Sequence, residues 1–180
     1  NIDNAEEDSK NGTLGHINAI TGIGNTSKLN EQKIGKFGIG FKAVFAYTST
    51  PEIYDDNFSF RLENYLIPVK IEANKYDRKK GETLFFFPFN NKDKPAERAY
   101  SEIVNKLKSL RSPLLFLSNL KEINWLSKDE KGGFKKTLLQ GEILDGKIGF
   151  TSEIYSITTL LNNTRTPEKI WLFSKLVPGN

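Results

Sequence analysis

The spacing of apolar residues changes character near Pro51, and that change limits the folds open to the chain. Before it, Leu14, Ile17, Ile20 and Ile23 recur at helical intervals, with Gly22 and Gly24 ending the run. Phe41 to Tyr47 is an apolar stretch without breakers, so both segments read as helix. After Pro51, Phe58, Phe60 and Leu62 alternate with Ser59 and Arg61, and Val69 and Ile71 alternate with Lys70 and Glu72. A period of two places one side of each segment inside, as in a half-buried strand. Thr83 to Phe89 is apolar at nearly every position, which predicts a central strand covered on both faces. One long helix interrupts the strands. Pro95 sits near its start, Ile103, Leu107 and Leu110 mark one face, and Pro113 stops it. Leu114 to Leu117 is a short buried run, and a strand begins at Ile123 and Trp125. Asp145-Gly146 between Ile143 and Ile148 signals a hairpin, and a last strand is expected over Ile170 to Phe173. This order predicts an α+β fold: a two-layer sandwich whose mixed, mostly antiparallel sheet is covered on one face by helices.

Composition narrows the function classes. A chain of 180 residues with 37% hydrophobic residues and 13 Phe has enough apolar material for one packed domain. Trp125 and Trp171 are expected in its core. The absence of Cys excludes disulfides and thiolate chemistry, and a single His, His16, excludes His-pair metal sites. The net charge of +4 suits a phosphate-bearing ligand and is too mild to argue for nucleic acid unaided. Lys75, Arg78, Lys79 and Lys80 around Tyr76 read as a charged turn, with nucleic-acid contact as the weaker alternative. No apolar run is long enough to span a bilayer, and the polar, acidic Asn1 to Asn11 lacks the pattern of a signal peptide. A soluble, cytoplasmic protein without membrane contact is the expectation.

The chemically informative stretch is Gly35-Lys36-Phe37-Gly38-Ile39-Gly40-Phe41-Lys42, with glycines directly ahead of the second apolar helix. Glycine lets backbone N–H groups approach a ligand closely, and the free N–H groups of a starting helix favour anions. That is the physics of a phosphate cradle. A dinucleotide loop puts its two-residue step first and follows a strand, whereas here the order is reversed and the polar loop Asn25 to Lys33 precedes it. No Gly-Lys-Ser/Thr follows the glycines, and a kinase-type loop would lie between two strands. A tight helix start with no ligand fits the same residues.

Ile34 to Phe45 closely resembles the second glycine box of the GHKL superfamily (gyrase, heat-shock chaperone, histidine kinase and mismatch-repair ATPases), most nearly its heat-shock chaperone and sacsin-like members. The resemblance implies a Bergerat-type ATP-binding fold over residues 1–126, with 127–180 as additional strands on the same domain. It assigns ATP or ADP phosphates to the backbone of Gly35, Lys36, Phe37, Gly38, Ile39, Gly40 and Phe41. Gly22 to Lys28 is similar to the family's lid segment, which places Ser27 and Lys28 near the phosphates; a solvated loop is the other reading of these two. Ile2 to Glu7 is similar to the second half of the family's first helix motif, where an Asn oxygen ligates Mg2+, so Asn4 is the implied metal ligand. Gly81-Glu82-Thr83 resembles the strand whose Thr hydroxyl helps hold adenine. Slow ATP hydrolysis, lid closure and altered contacts with a protein partner or with further domains of a larger chain are the implied activity.

The pattern departs from the family at two places. The family's catalytic Glu stands four residues before the Asn, outside this chain, and no Asp-x-Gly-x-Gly box separates Asp8 from Gly12. Either a stretch between Asp8 and Asn11 is missing, which the lack of any Met favours, or the pocket is degenerate. A degenerate, non-hydrolysing relative binding protein or nucleic acid is therefore the alternative. No catalytic residue can be assigned.

Overall fold

The computed structural model describes residues 16–22, 40–73, 75–115, 117, 119–145 and 150–175. It shows mixed α and β content, with two four-stranded antiparallel sheets and few helices. The chain divides into two compact units, Asn1–Glu102 and Ile103–Asn180.

In the first unit, helix α1 (His16–Thr21) and a 3₁₀ helix (Phe41–Ala46) precede strands β1 (Glu52–Tyr54), β2 (Ser59–Glu63), β3 (Ile67–Lys70) and β4 (Leu84–Phe86). Helix α2 (Ala96–Ser109) follows, close to the bounds that Pro95 and Pro113 predict, and the division between the units falls within it. The sheet order is β3-β2-β1-β4, every neighbour antiparallel. Register explains the core: Ile53 lies opposite Phe60 on one side and Phe85 on the other. Ile53, Phe60, Leu62 and Phe45 are buried together, with Ile17, Ile20, Phe41 and Val44 packed against them. Removing such side chains from water is the main term that holds the sheet to the helical segments.

Three expectations change here. Of Thr83 to Phe89 only Leu84–Phe86 forms a strand, at the edge of the sheet among the described residues and not at its centre, and Thr83 itself stands just before it. Its apolar character has another cause: Phe85 and Phe87 meet the Phe41 ring at 6.1 and 6.3 Å, while Phe86 meets Tyr76 on the other face at 5.0 Å. The central position belongs to β1, whose three residues are all buried. Residues 41–46 form a 3₁₀ rather than an α-helix, closed by Ala43 N donating to Gly40 O and Tyr47 N to Val44 O. Such tight turns are used in short pieces.

The second unit holds a 3₁₀ turn (Pro113–Leu115) and strands β5 (Glu122–Leu126), β6 (Lys131–Asp145), β7 (Phe150–Leu161) and β8 (Thr164–Lys175). These pair as an antiparallel meander in chain order. Asp145 opposes Phe150, so the strands flanking the expected Asp145-Gly146 hairpin do pair, while residues 146–149 lie outside the described set. Leu114, Phe134 and Ile157 are buried. Trp125 lies over Gly132, where an added Cβ would stand 2.4 Å from the indole. Trp171 is not a core residue: it is 56% exposed and stacks on Phe173 along the edge strand β8. A single aromatic in an alternating strand does not reveal which face is covered. No helix among the described residues is long and apolar enough to cross a membrane.

Candidate functional site

Of the residues expected at a nucleotide site, the structure describes Gly40, Phe41 and Thr83. Asn4, Ser27, Lys28, Gly35, Lys36, Phe37, Gly38 and Ile39 lie outside the described residues.

Gly40 stands at the start of the 3₁₀ helix with φ −58° and ψ −45°, a conformation open to any residue. A Cβ built there meets nothing within 4 Å. Neither backbone strain nor packing among the described residues therefore requires glycine at position 40. Phe41, one residue on, carries its ring onto Phe85 and Phe87, on the face of β4 that also covers Ile53. Two segments about forty residues apart in sequence, both singled out for phosphate and base, are thus joined through one aromatic cluster.

Thr83 is half-buried, and its hydroxyl donates to Asp55 Oδ2 at 2.6 Å. Asp55 directly follows β1, is 4% exposed, and also accepts from Asn57 N at 3.4 Å. Sequence reading missed Asp55. The signal that could have found it is register: Tyr54 opposes Leu84, so the next antiparallel pair brings residues 55 and 83 together.

The basic run is used internally. Lys75 Nζ donates to both carboxylate oxygens of buried Glu52 at 3.2 and 3.3 Å, and lies over the Tyr76 and Phe86 rings. Glu52 also accepts from Tyr54 Oη at 2.5 Å. Burial and this carboxylate push the Tyr54 phenol well above its ordinary range, and the same carboxylate raises the Lys75 ammonium. Arg78 pairs with Asp56 at 2.7 Å and donates to Glu82 O, and Gly81 N donates to Asp56 Oδ2 at 2.8 Å. Arg78 and that amide hold the Asp56 carboxyl below its usual value. Lys75 and Arg78 thereby tie this segment to Glu52 of β1 and to Asp56 just beyond it, which agrees with a charged turn.

No family model, no curated protein and no solved structure matches the chain. The site must be read from its own chemistry.

Lys42 is a second residue that sequence reading left without a role. Its ammonium donates to Ile20 O at 2.6 Å and lies 3.4 Å from Tyr65 O, linking the end of α1 to the 3₁₀ helix and the β2–β3 turn. Burial lowers its pKa. Among the described residues no group of three or more His, Cys, Asp or Glu side chains forms a metal cluster.

Proposed function

We propose that the chain is a Mg2+-dependent ATP-binding domain of the GHKL type, with slow hydrolysis coupled to closure of a lid and to changed contacts with a protein partner, in a cytoplasmic setting. The observation that carries this reading is the convergence just described. Phe41, at the end of the glycine segment, packs against the strand that begins directly after Thr83, and packing among the described residues gives no reason for a glycine at position 40. Close approach of a ligand to the backbone is such a reason.

In this reading the backbone N–H groups of Gly35 to Phe41 take the phosphates, with Ser27 and Lys28 beside them, and Asn4 offers Mg2+ an oxygen ligand. Magnesium suits that arrangement because it keeps several waters and binds through few protein oxygens plus phosphate. Thr83 takes the adenine. Residues 22–33 act as the lid, and nucleotide shifts its population toward closure. The covering of one sheet face by helices, as the Bergerat-type sandwich requires, is supported by Ile17, Ile20, Phe41 and Val44 packing onto Ile53, Phe60 and Leu62. The nucleotide domain extends through residue 126 in this reading, and 127–180 add strands to it.

Calorimetric titration with Mg-ADP tests it. Saturable binding that weakens at least about tenfold in Gly38→Val and in Asn4→Ala is expected, since a new side chain in a cradle or a lost metal ligand costs more than 1.4 kcal/mol. Absence of binding at millimolar nucleotide by the folded protein would pass the function to a non-hydrolysing interaction module.

A further inference from the structure

The Thr83–Asp55 hydrogen bond fixes which way the proposed base site is polarised. A threonine hydroxyl has one proton and two lone pairs, and an ionised carboxylate can only accept. Thr83 spends its single proton on Asp55 Oδ2 at 2.6 Å, so its oxygen has only lone pairs left for anything that approaches from outside. Asp55 is 4% exposed, and its burial at the end of β1 keeps it in place behind Thr83. Beside this acceptor the sheet presents aromatic surface: Phe85 is 44% exposed and sits 6.1 Å from Phe41 and 6.2 Å from Phe87. A planar heterocycle lying against Phe85 meets a polar neighbour that accepts hydrogen bonds and cannot donate one.

We propose that Asp55 is a positioning residue for base selection: by holding the Thr83 proton, it makes Thr83 an acceptor-only contact that favours a heterocycle carrying an amino group over one carrying a keto group. Nothing in the resemblance assigns Asp55 a role, and the inference rests on the nucleotide reading above. A keto oxygen set against the Thr83 lone pairs leaves two acceptors facing each other without a proton between them. Sites built around one hydrogen bond discriminate strongly against the analogue that leaves it unmade.

ADP and inosine diphosphate are the probes, because the base carries an amino group at position 6 in the first and a keto group, with a proton on the adjacent N1, in the second. Calorimetric affinities for both, with Mg2+, are measured on the full chain and on Asp55→Asn, Asp55→Ala and Thr83→Ser, each checked for fold by circular dichroism. The protein is expected to prefer ADP by about tenfold or more. Asp55→Ala removes the acceptor and frees the Thr83 proton to point outward, so the preference should fall to within about threefold, whereas Asp55→Asn keeps an accepting oxygen and should retain it. Thr83→Ser keeps both the proton and Asp55, so it should keep the preference. A merely structural role for Asp55 would weaken both ligands alike and leave their ratio unmoved, and that result overturns the proposal. Equal affinity of the unaltered protein for the two nucleotides also overturns it while sparing ATP binding. Failure to bind either nucleotide overturns both readings together. If the Asp55 variants do not fold, Thr83→Val decides: it removes the hydroxyl and should abolish the preference, and a preference that survives it overturns the proposal.

Discussion

Gly40 and Tyr65 show opposite relations between a residue and its backbone. At Gly40, φ is ordinary and the space around a Cβ is empty, so Gly40→Ala should leave thermal stability unchanged or raise it by up to about 1 kcal/mol. If the glycine serves a phosphate, the same variant lowers Mg-ADP affinity, and melting curves with parallel titrations separate the two effects. Tyr65 is a non-glycine residue at φ 69° beside Asn64 at φ 49°, in a turn where Leu66 N donates to Glu63 O. Two successive positive φ values are what primed hairpin turns require, and Asn tolerates them better than Tyr. The Tyr65 ring, 4.9 Å from that of Phe45, offsets part of the strain. Tyr65→Gly removes both the strain and the ring contact and should be near neutral. Tyr65→Val keeps the strain, worsens it through its branched Cβ, and should cost about 2 kcal/mol in urea unfolding.

The strands depend on neighbours that a single segment does not contain. In the second sheet Gly132 opposes Trp125 and Gly133 opposes Asn124, and an added Cβ would stand 2.4 Å from the indole or 2.5 Å from Ile123 O. Gly132→Val should therefore displace Trp125 or separate β5 from β6, at a cost of about 2–4 kcal/mol read from thermal melting by circular dichroism. The same dependence explains what could be read from sequence. Helix α2 was legible because Pro95, Pro113 and the apolar period act within nineteen residues, and β2 because Phe60 and Leu62 alternate with polar neighbours. Strand β1 was not, because Glu52 breaks the apolar pattern and is buried only by virtue of Tyr54 and Lys75. β4 was assigned the wrong place because aromatic neighbours on both faces mimic a central strand. Of the candidate site, the glycine segment and Thr83 stand out in the sequence as motifs, whereas the contact of Asp55 with Thr83 follows only from the β1–β4 register.

For the molecule as a whole, the buried Tyr54–Glu52 pair, with exposed Lys75 on its carboxylate, sets the alkaline limit of stability. Tyr54 stays neutral in the fold, while in the unfolded chain its phenol ionises near pH 10. The unfolded state then binds fewer protons, so stability is level below about pH 10 and falls by about 1.4 kcal/mol for each pH unit above it. The raised Lys75 acts in the same direction: its contribution is present below its ordinary value and is lost as pH climbs through the raised one. Asp56 works at the other end. Its depressed carboxyl contributes above about pH 4 and stops contributing as pH falls through the lower folded value, a small effect at an exposed pair. Urea midpoints should therefore hold level from about pH 8 to about pH 10 and decline above it, and Tyr54→Phe should flatten that decline.

Both indoles of the chain, Trp125 and Trp171, stand in strands of the second unit, and five of the six tyrosines, at 47, 54, 65, 76 and 100, belong to the first. The protein thus carries two native optical labels, one for each half. Indole emission follows residues 103–180 without any added dye, and phenol absorbance mainly follows the half that holds Gly40, Asp55 and Thr83. A ligand bound near Thr83 that altered the indole signal would be announcing communication between the halves.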